Sequence, residues 1–429
     1  MALTGRVPLL LLLGIAGVVL RPHPSTMLAW VGGVAVLVVL DLLLATDPRS
    51  LTVHRLPVPQ VRLGGTSTSA LLVTAGQRGV RGVLRDAWQP SAGSASNRHR
   101  LDLRAGESVR LTTTLTPTRR GDRRAEHVTV RSKGPLGLAA RQRSWPVPGT
   151  VRALPPFRSR KHLPSRLARL RDIDGRSAVR VRGQGTEFDS LREYVRGDDV
   201  RSIDWRASAR SRSVVVRTWQ PERDRRVVLV LDTSRTSAAR CGDMPRLDAS
   251  MDAALLLAAL AARAGDHVDF LAGDREVRAR VRSGGTEGVL PPLVEAMADL
   301  EPVLSEANWS RLAGALATLG RRRALVVLLT ALDPAAIEHG LLPVLPVLTQ
   351  HHHVVLASVK DPALGEMASA RTDAAQVYEA AAAEQVQRQR RYVASVLARL
   401  GVDVIDAEPD HLPVALTDHY LTLKSIGKW

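Results

Sequence analysis

Two apolar runs at the start of the chain set the first limit on its fold. Val7 to Leu20 reads VPLLLLLGIAGVVL, and Met27 to Ala45 reads MLAWVGGVAVLVVLDLLLA. A helix needs roughly 20 apolar residues to cross a bilayer, and the second run has that length. The first is shorter and gains length only from Met1 to Thr4. Arg21, Pro22 and His23 follow it where a secretory leader would carry a small-residue cleavage site. The expectation is therefore a transmembrane helical hairpin over residues 1–48, seated in the lipid bilayer. Arg6 precedes the hairpin, and Arg49, Arg55 and Arg62 follow it. Basic flanks favour the cytoplasmic face, so the expected location is the cell membrane, multi-pass, with cytoplasmic soluble domains. Asp41 falls inside the second run. An intramembrane carboxylate is a functional candidate by default, but its place near the end of the run suits an interfacial or helix-contact role.

The remainder is long enough, in a chain of 429 residues, for two or three domains. A formal net charge of +18 admits nucleic acid, anionic lipid or an acidic protein as partner. Aromatic residues make up only 3 %, too few for a stacking platform, so no nucleic acid is expected. A single cysteine, Cys241, rules out an internal disulfide or a multi-thiolate zinc site.

Residues 51–155 are short alternating apolar segments separated by Gly, Pro, Ser and Asn, the pattern of a β-sandwich, immunoglobulin-like but without a cysteine pair. Residues 156–225 form a basic linker and then a dense segment, GQGTEFDSLREYVRGDDVRSIDWRASARSRSVVVR. Residues 226–429 alternate buried strands such as RRVVLVLD and ALVVLLT with helices such as RLDASMDAALLLAALAARAG. That alternation predicts an α/β domain, doubly wound around a mostly parallel sheet. Ligands of such sheets bind beyond the carboxyl ends of the strands, which here carry Asp232, Thr330 with Asp333, Asp361 and Asp406.

At the first of these ends, LDTSRTS places Asp232, Ser234 and Thr236 on one turn. One carboxylate and two hydroxyls are oxygen ligands suited to Mg²⁺ or Mn²⁺. The pattern resembles the metal-ion-dependent adhesion site of the von Willebrand factor type A fold. That resemblance implies Thr286 as a further ligand from a second loop. It also implies an aspartate in a third loop, where this chain has Ala331, so the site is a degenerate one. Asp333, two residues later and before a proline, reads as a helix N-cap. The run His351 to His353 lacks a third metal ligand in its neighbourhood, and Ser234 lacks the sharp-turn context of a nucleophile.

The dense segment, through Gly183, Gly185, Glu187, Phe188, Leu191, Arg192, Tyr194, Gly197, Asp198, Asp199, Arg201, Asp204, Trp205, Ala209 and Arg210, resembles the signature of domain-of-unknown-function family 58. GPLGL near Leu136, VKDP from Val359 and HYLTLK from His419 resemble other elements of that family. The resemblance implies a von Willebrand factor type A-like domain on a membrane anchor. It implies a non-enzymatic adaptor or assembly factor, with a MoxR-type AAA+ ATPase as partner. From the residues alone, Arg192, Arg201, Arg206 and Arg210 are expected to pair with Glu187, Glu193, Asp198, Asp199 and Asp204, with Trp205 as an apolar anchor. The segment then serves either as a docking surface or as a clasp between domains. Two other readings stand beside the adaptor: a metal-dependent hydrolase at the same sheet edge, and a basic surface that binds polyanions.

Overall fold

The computed structural model describes residues 2–180, 187–211, 213–220, 225–282, 288–318 and 323–427, with the backbone alone at 174–180, 187–190 and 218–220. The protein is a mixed α/β chain that divides into two compact units, residues 1–154 and 155–429.

The first unit opens with a short strand, β1 (Ala2–Leu3), and two apolar helices, α1 (Arg6–Leu20) and α2 (Pro24–Leu44). Among the described residues, only the helical stretch that begins at Pro24 is long and apolar enough to cross a membrane, with a mean hydropathy of 2.5. At 1.5 Å per residue α2 extends about 31 Å, the thickness of a hydrocarbon core, whereas α1 reaches only about 22 Å. The two helices lie close: the Trp30 indole N–H donates to the Leu10 carbonyl at 3.0 Å.

Eight strands follow: β2 (Thr52–Arg55), β3 (Val61–Arg62), β4 (Ser67–Thr74), β5 (Val80–Trp88), β6 (Arg98–Leu103), β7 (Ser108–Leu115), β8 (Gly121–Lys133) and β9 (Ala139–Leu154). One sheet has the order β1-β9-β8-β5-β6, with β3 paired to β9, and a three-stranded sheet has the order β2-β4-β7. Alternation puts every second side chain inward. Leu71 and Val73 of β4 thus share a core with Leu84 of β5, Leu101 and Leu103 of β6 and Val128 and Val130 of β8. A buried ion pair sits beside this core. Both Arg55 guanidinium nitrogens Nη1 and Nη2 donate to the Asp86 carboxylate, at 2.9 and 2.7 Å, and the Trp88 indole N–H donates to it at 2.9 Å.

Asp41 ties α2 to this sheet. Its carboxylate is fully buried and accepts from the amides of Leu136, Leu138 and Ala139, each at 2.7 Å. The Thr4 hydroxyl donates to the Gly137 carbonyl at 2.6 Å and Arg6 donates to the Leu136 carbonyl at 3.1 Å. The start of α1 and the end of α2 are thus pinned to one loop, residues 134–139. Gly134 belongs there for steric reasons, since a Cβ would stand 2.2 Å from Asp41 Oδ1.

The second unit begins with a 3₁₀ turn (Arg158–His162) and α3 (Leu163–Arg180). A hairpin of β10 (Glu187–Glu193) and β11 (Val215–Gln220) follows, with the one-turn helix α4 (Trp205–Ser208) between its strands. Then come β12 (Arg226–Asp232), a small hairpin of β13 (Arg240–Cys241) and β14 (Met244–Pro245), α5 (Arg246–Arg263), β15 (His267–Gly273) and β16 (Val277–Val281). The chain continues through α6 (Leu290–Ala298), α7 (Trp309–Ala317), β17 (Leu325–Leu329), α8 (Pro334–Ala336), α9 (Leu345–His351) and β18 (His353–Val359). It ends with α10 (Ala363–Ser369), α11 (Ala374–Arg399), β19 (Val402–Ala407) and α12 (Leu412–Ile426).

The six-stranded sheet has the order β16-β15-β12-β17-β18-β19, parallel except for the edge strand β16. Its central strands are continuous apolar runs because both faces are covered. Helix α5 is buried almost all round, from Leu247 to Ala261. Inside it Asp252 accepts from the Ser159 hydroxyl at 2.9 Å, which fastens the segment before α3 to this helix.

Candidate functional site

In a sheet of this order, chain connections leave β12 toward β15 on one side and later return to β17 on the other. The carboxyl ends of β12 and β17 therefore flank the switch point where open α/β sheets take ligands. Asp232 is the last residue of β12, and Thr330 directly follows β17. Asp232, Ser234, Thr236 and Thr330 are all buried. A buried carboxylate is costly unless its lone pairs are satisfied, and here they are. The Ser234 amide donates to Asp232 Oδ1 at 2.8 Å. The Thr236 and Thr330 hydroxyls donate to Oδ2 at 3.0 and 2.6 Å. Ser234 Oγ lies 3.2 Å from Thr236 Oγ1.

The structure thus brings three of the four expected metal ligands into one oxygen cluster and adds Thr330, whose place at a strand end was its only signal in the sequence. Thr286 lies outside the described residues. Ala331 is buried beside Thr330 and has no oxygen to offer from its side chain. Asp333 caps α8 by accepting from the Ala336 amide at 3.0 Å. The donor set fits a hard divalent cation in chemistry, with one carboxylate and three hydroxyls. Of the other strand ends, Asp406 is engaged by Arg390 of α11, and Asp361 accepts from the Ala363 amide at 3.1 Å. Neither belongs to the cluster.

A second carboxylate holds the loop in place. Asp274, fully buried after β15, accepts from the Thr233 hydroxyl at 2.9 Å and from Arg278 at 2.8 and 3.0 Å. Burial alone raises its carboxyl. Hydrogen bonds from Arg278, Thr233 and the Glu276 amide outweigh that and hold it below the ordinary carboxylate range. Arg235 of the same loop pairs with Glu306. Glu306 lines a pocket of about 300 Å³ together with Arg275, Asn308, Trp309 and His339.

The dense segment folds as the β10–β11 hairpin and its insertion. Of Glu187 only the backbone is described, paired with Gln220. Arg192 pairs with Asp198 at 2.6 Å, as expected. Gly197 permits the turn before it with φ of 109°, a value L side chains rarely adopt. Asp204 caps α4 by accepting from the amides of Arg206 and Ala207, and its ion-pair partner is Arg217 at 2.8 Å. Asp199 caps a 3₁₀ turn through the Arg201 amide. The expected roles of Arg201, Arg206 and Arg210 change accordingly: among the described residues their side chains form no ion pair, because turn amides satisfy the aspartates first. The Arg192 hydrogen bond holds Asp198 below the usual carboxylate range, and the Ala207 amide followed by Arg217 does so for Asp204.

Trp205 is not the expected buried anchor. It is 67 % exposed, and Leu191, Val195 and Val200 of the same segment are exposed with it. Tyr194 is half-buried, and its amide donates to the Val214 carbonyl at 2.8 Å.

No curated protein matches the chain. Residues 190–399 match the family model described as protein of unknown function DUF58. The matched stretch runs from the signature hairpin through the Asp232 loop to the end of α11, and over it the chain is similar to the DUF58 family.

Proposed function

We propose that the protein is a membrane-anchored, non-enzymatic adaptor or assembly factor that works with a MoxR-type AAA+ ATPase. Helix α2 is the anchor, in a hairpin with α1, and the soluble domains face the cytoplasm. In this reading residues 226–429 are a von Willebrand factor type A-like domain and residues 51–155 a β-sandwich. A six-stranded sheet with one antiparallel edge strand supports the first. A core shared by two sheets supports the second.

The observation that carries the proposal is the oxygen cluster of Asp232, Ser234, Thr236 and Thr330 at the switch point. Asp232, Ser234 and Thr236 would hold Mg²⁺ or Mn²⁺, with Thr286 as a further candidate. A bound ion would supply a coordination position for an outside ligand. Ala331 leaves the cluster with a single carboxylate, so a divalent cation keeps net positive charge there. An acidic side chain from the partner is the natural complement. The exposed apolar residues around Trp205 offer a second contact surface for the same partner.

The test is capture of the tagged full-length chain from native membranes in Mg²⁺ or in EDTA, with partners identified by mass spectrometry. A MoxR-type ATPase retained in Mg²⁺, and lost in EDTA and in Asp232→Ala, is the expected result. Equal retention in EDTA would move the contact to the Trp205 surface. Absence of an ATPase in both conditions overturns the proposal.

A further inference from the structure

The edge of the six-stranded sheet remote from Asp232 carries a different donor set. His353 is the first residue of β18, and Asp403 the second of β19. Val355 pairs with Asp403 across the two strands. Side chains alternate along a strand, so His353 and Val355 share a face, and Asp403 lies on it too. Helix α12 packs on these strands and brings His419 to the same place. His353 Nε2 stands 2.7 Å from Asp403 Oδ2, and His419 Nε2 stands 3.0 Å from the same oxygen. The three donor atoms all lie within 4.8 Å of one another.

We propose that His353, Asp403 and His419 form a binding site for a first-row divalent transition-metal ion of the zinc type. Two imidazole nitrogens and one carboxylate oxygen are the ligands such ions select, whereas Mg²⁺ and Ca²⁺ prefer all-oxygen shells. The spacing suits the ion. With bonds of about 2.0–2.1 Å, tetrahedral zinc sets its ligands about 3.3 Å apart, so the two nitrogen–oxygen distances need to open by about 0.3–0.6 Å. A simple ion pair needs one histidine. Here two Nε2 atoms converge on one oxygen, and a metal ion at their focus replaces both hydrogen atoms. Each imidazole would bind the ion through Nε2, with Nδ1 left as its N–H. His353 is nearly buried, but the side chains of Asp403 and His419 are 33 % and 29 % exposed. Solvent can therefore complete the coordination shell. The site is independent of the proposed Mg²⁺ or Mn²⁺ cluster and of any ATPase partner.

The test uses the tag-free, chelator-stripped full chain in detergent, titrated by calorimetry with Zn²⁺ alone and with Mg²⁺ as a control. The expected result is one tight equivalent of Zn²⁺. It should weaken by more than about 100-fold in His419→Ala and in Asp403→Ala, beyond what loss of a mere supporting partner costs. It should persist in Asp232→Ala and in a His351→Ala, His352→Ala double variant. Should the triad variants fail to fold, the visible spectrum of the Co²⁺-loaded native chain decides, through the bands of a low-symmetry nitrogen–oxygen site. No tight equivalent, binding that survives both triad variants, binding lost with His351 and His352 (an adventitious surface site only), or a purely octahedral Co²⁺ spectrum would each overturn the proposal.

Discussion

At the scale of single residues, the charges that matter most are those without access to water. Arg55 and Asp86 are almost fully enclosed, and their paired hydrogen bonds are what makes that burial tolerable. Removing one partner strands the other. Asp86→Ala is expected to destabilise the first unit by about 3–5 kcal/mol, read as a fall in the denaturation midpoint of detergent-solubilised protein. Asp274 makes a pH-dependent contribution. Its folded pKa is depressed, so its stabilisation is complete above the unfolded carboxylate value and is lost as pH falls through the lower folded value. Asp274→Asn should cost about 1–3 kcal/mol at pH 7, and the gap to the native chain should close in acid. A gap independent of pH between 7 and 2 would contradict this assignment.

At the scale of elements, the junction between α2 and the loop 134–139 is the most exacting contact in the first unit. Three amides converge on one carboxylate, and the backbone approaches so closely that only glycine fits at position 134. Asp41→Leu makes α2 more apolar and yet orphans three N–H groups. It should leave the protein in the membrane fraction and still destabilise the fold by more than about 2 kcal/mol, measured by thermal unfolding in detergent. Gly134→Ala should act in the same direction. The sequence had marked both partners separately, Asp41 as a carboxylate inside an apolar run and GPLGL as a family element, but nothing local joined them across some hundred residues. Periodicity revealed the strands and helices of the second unit because burial on one or both faces leaves its mark within a few residues. The Asp232 turn was equally legible, since its carboxylate and hydroxyls are neighbours in the chain. Thr330 and the His353–Asp403–His419 triad were not, because only sheet register and the docking of α12 bring them together. Trp205 misled for the opposite reason: a large aromatic residue suggests burial, and this one faces solvent.

At the scale of the whole molecule, the division at residues 154 and 155 carries its own expectation. The second unit has its own core, from Val228 and Val230 through Leu328 to Leu397, and among its described residues no apolar helix reaches spanning length. With that core, residues 155–429 expressed alone should melt in one cooperative transition. A broad, non-cooperative melt would show that this core depends on the first unit. The Asp41 contact also bears on biosynthesis. Its three amide partners lie 95 to 98 residues further along the chain. At about 5–20 residues per second of synthesis, helix α2 emerges roughly 5–20 s before the loop that will receive its carboxylate. Throughout that interval the Asp41 carboxylate lacks its three amide partners, so the start of the chain is completed only when the β-rich region folds.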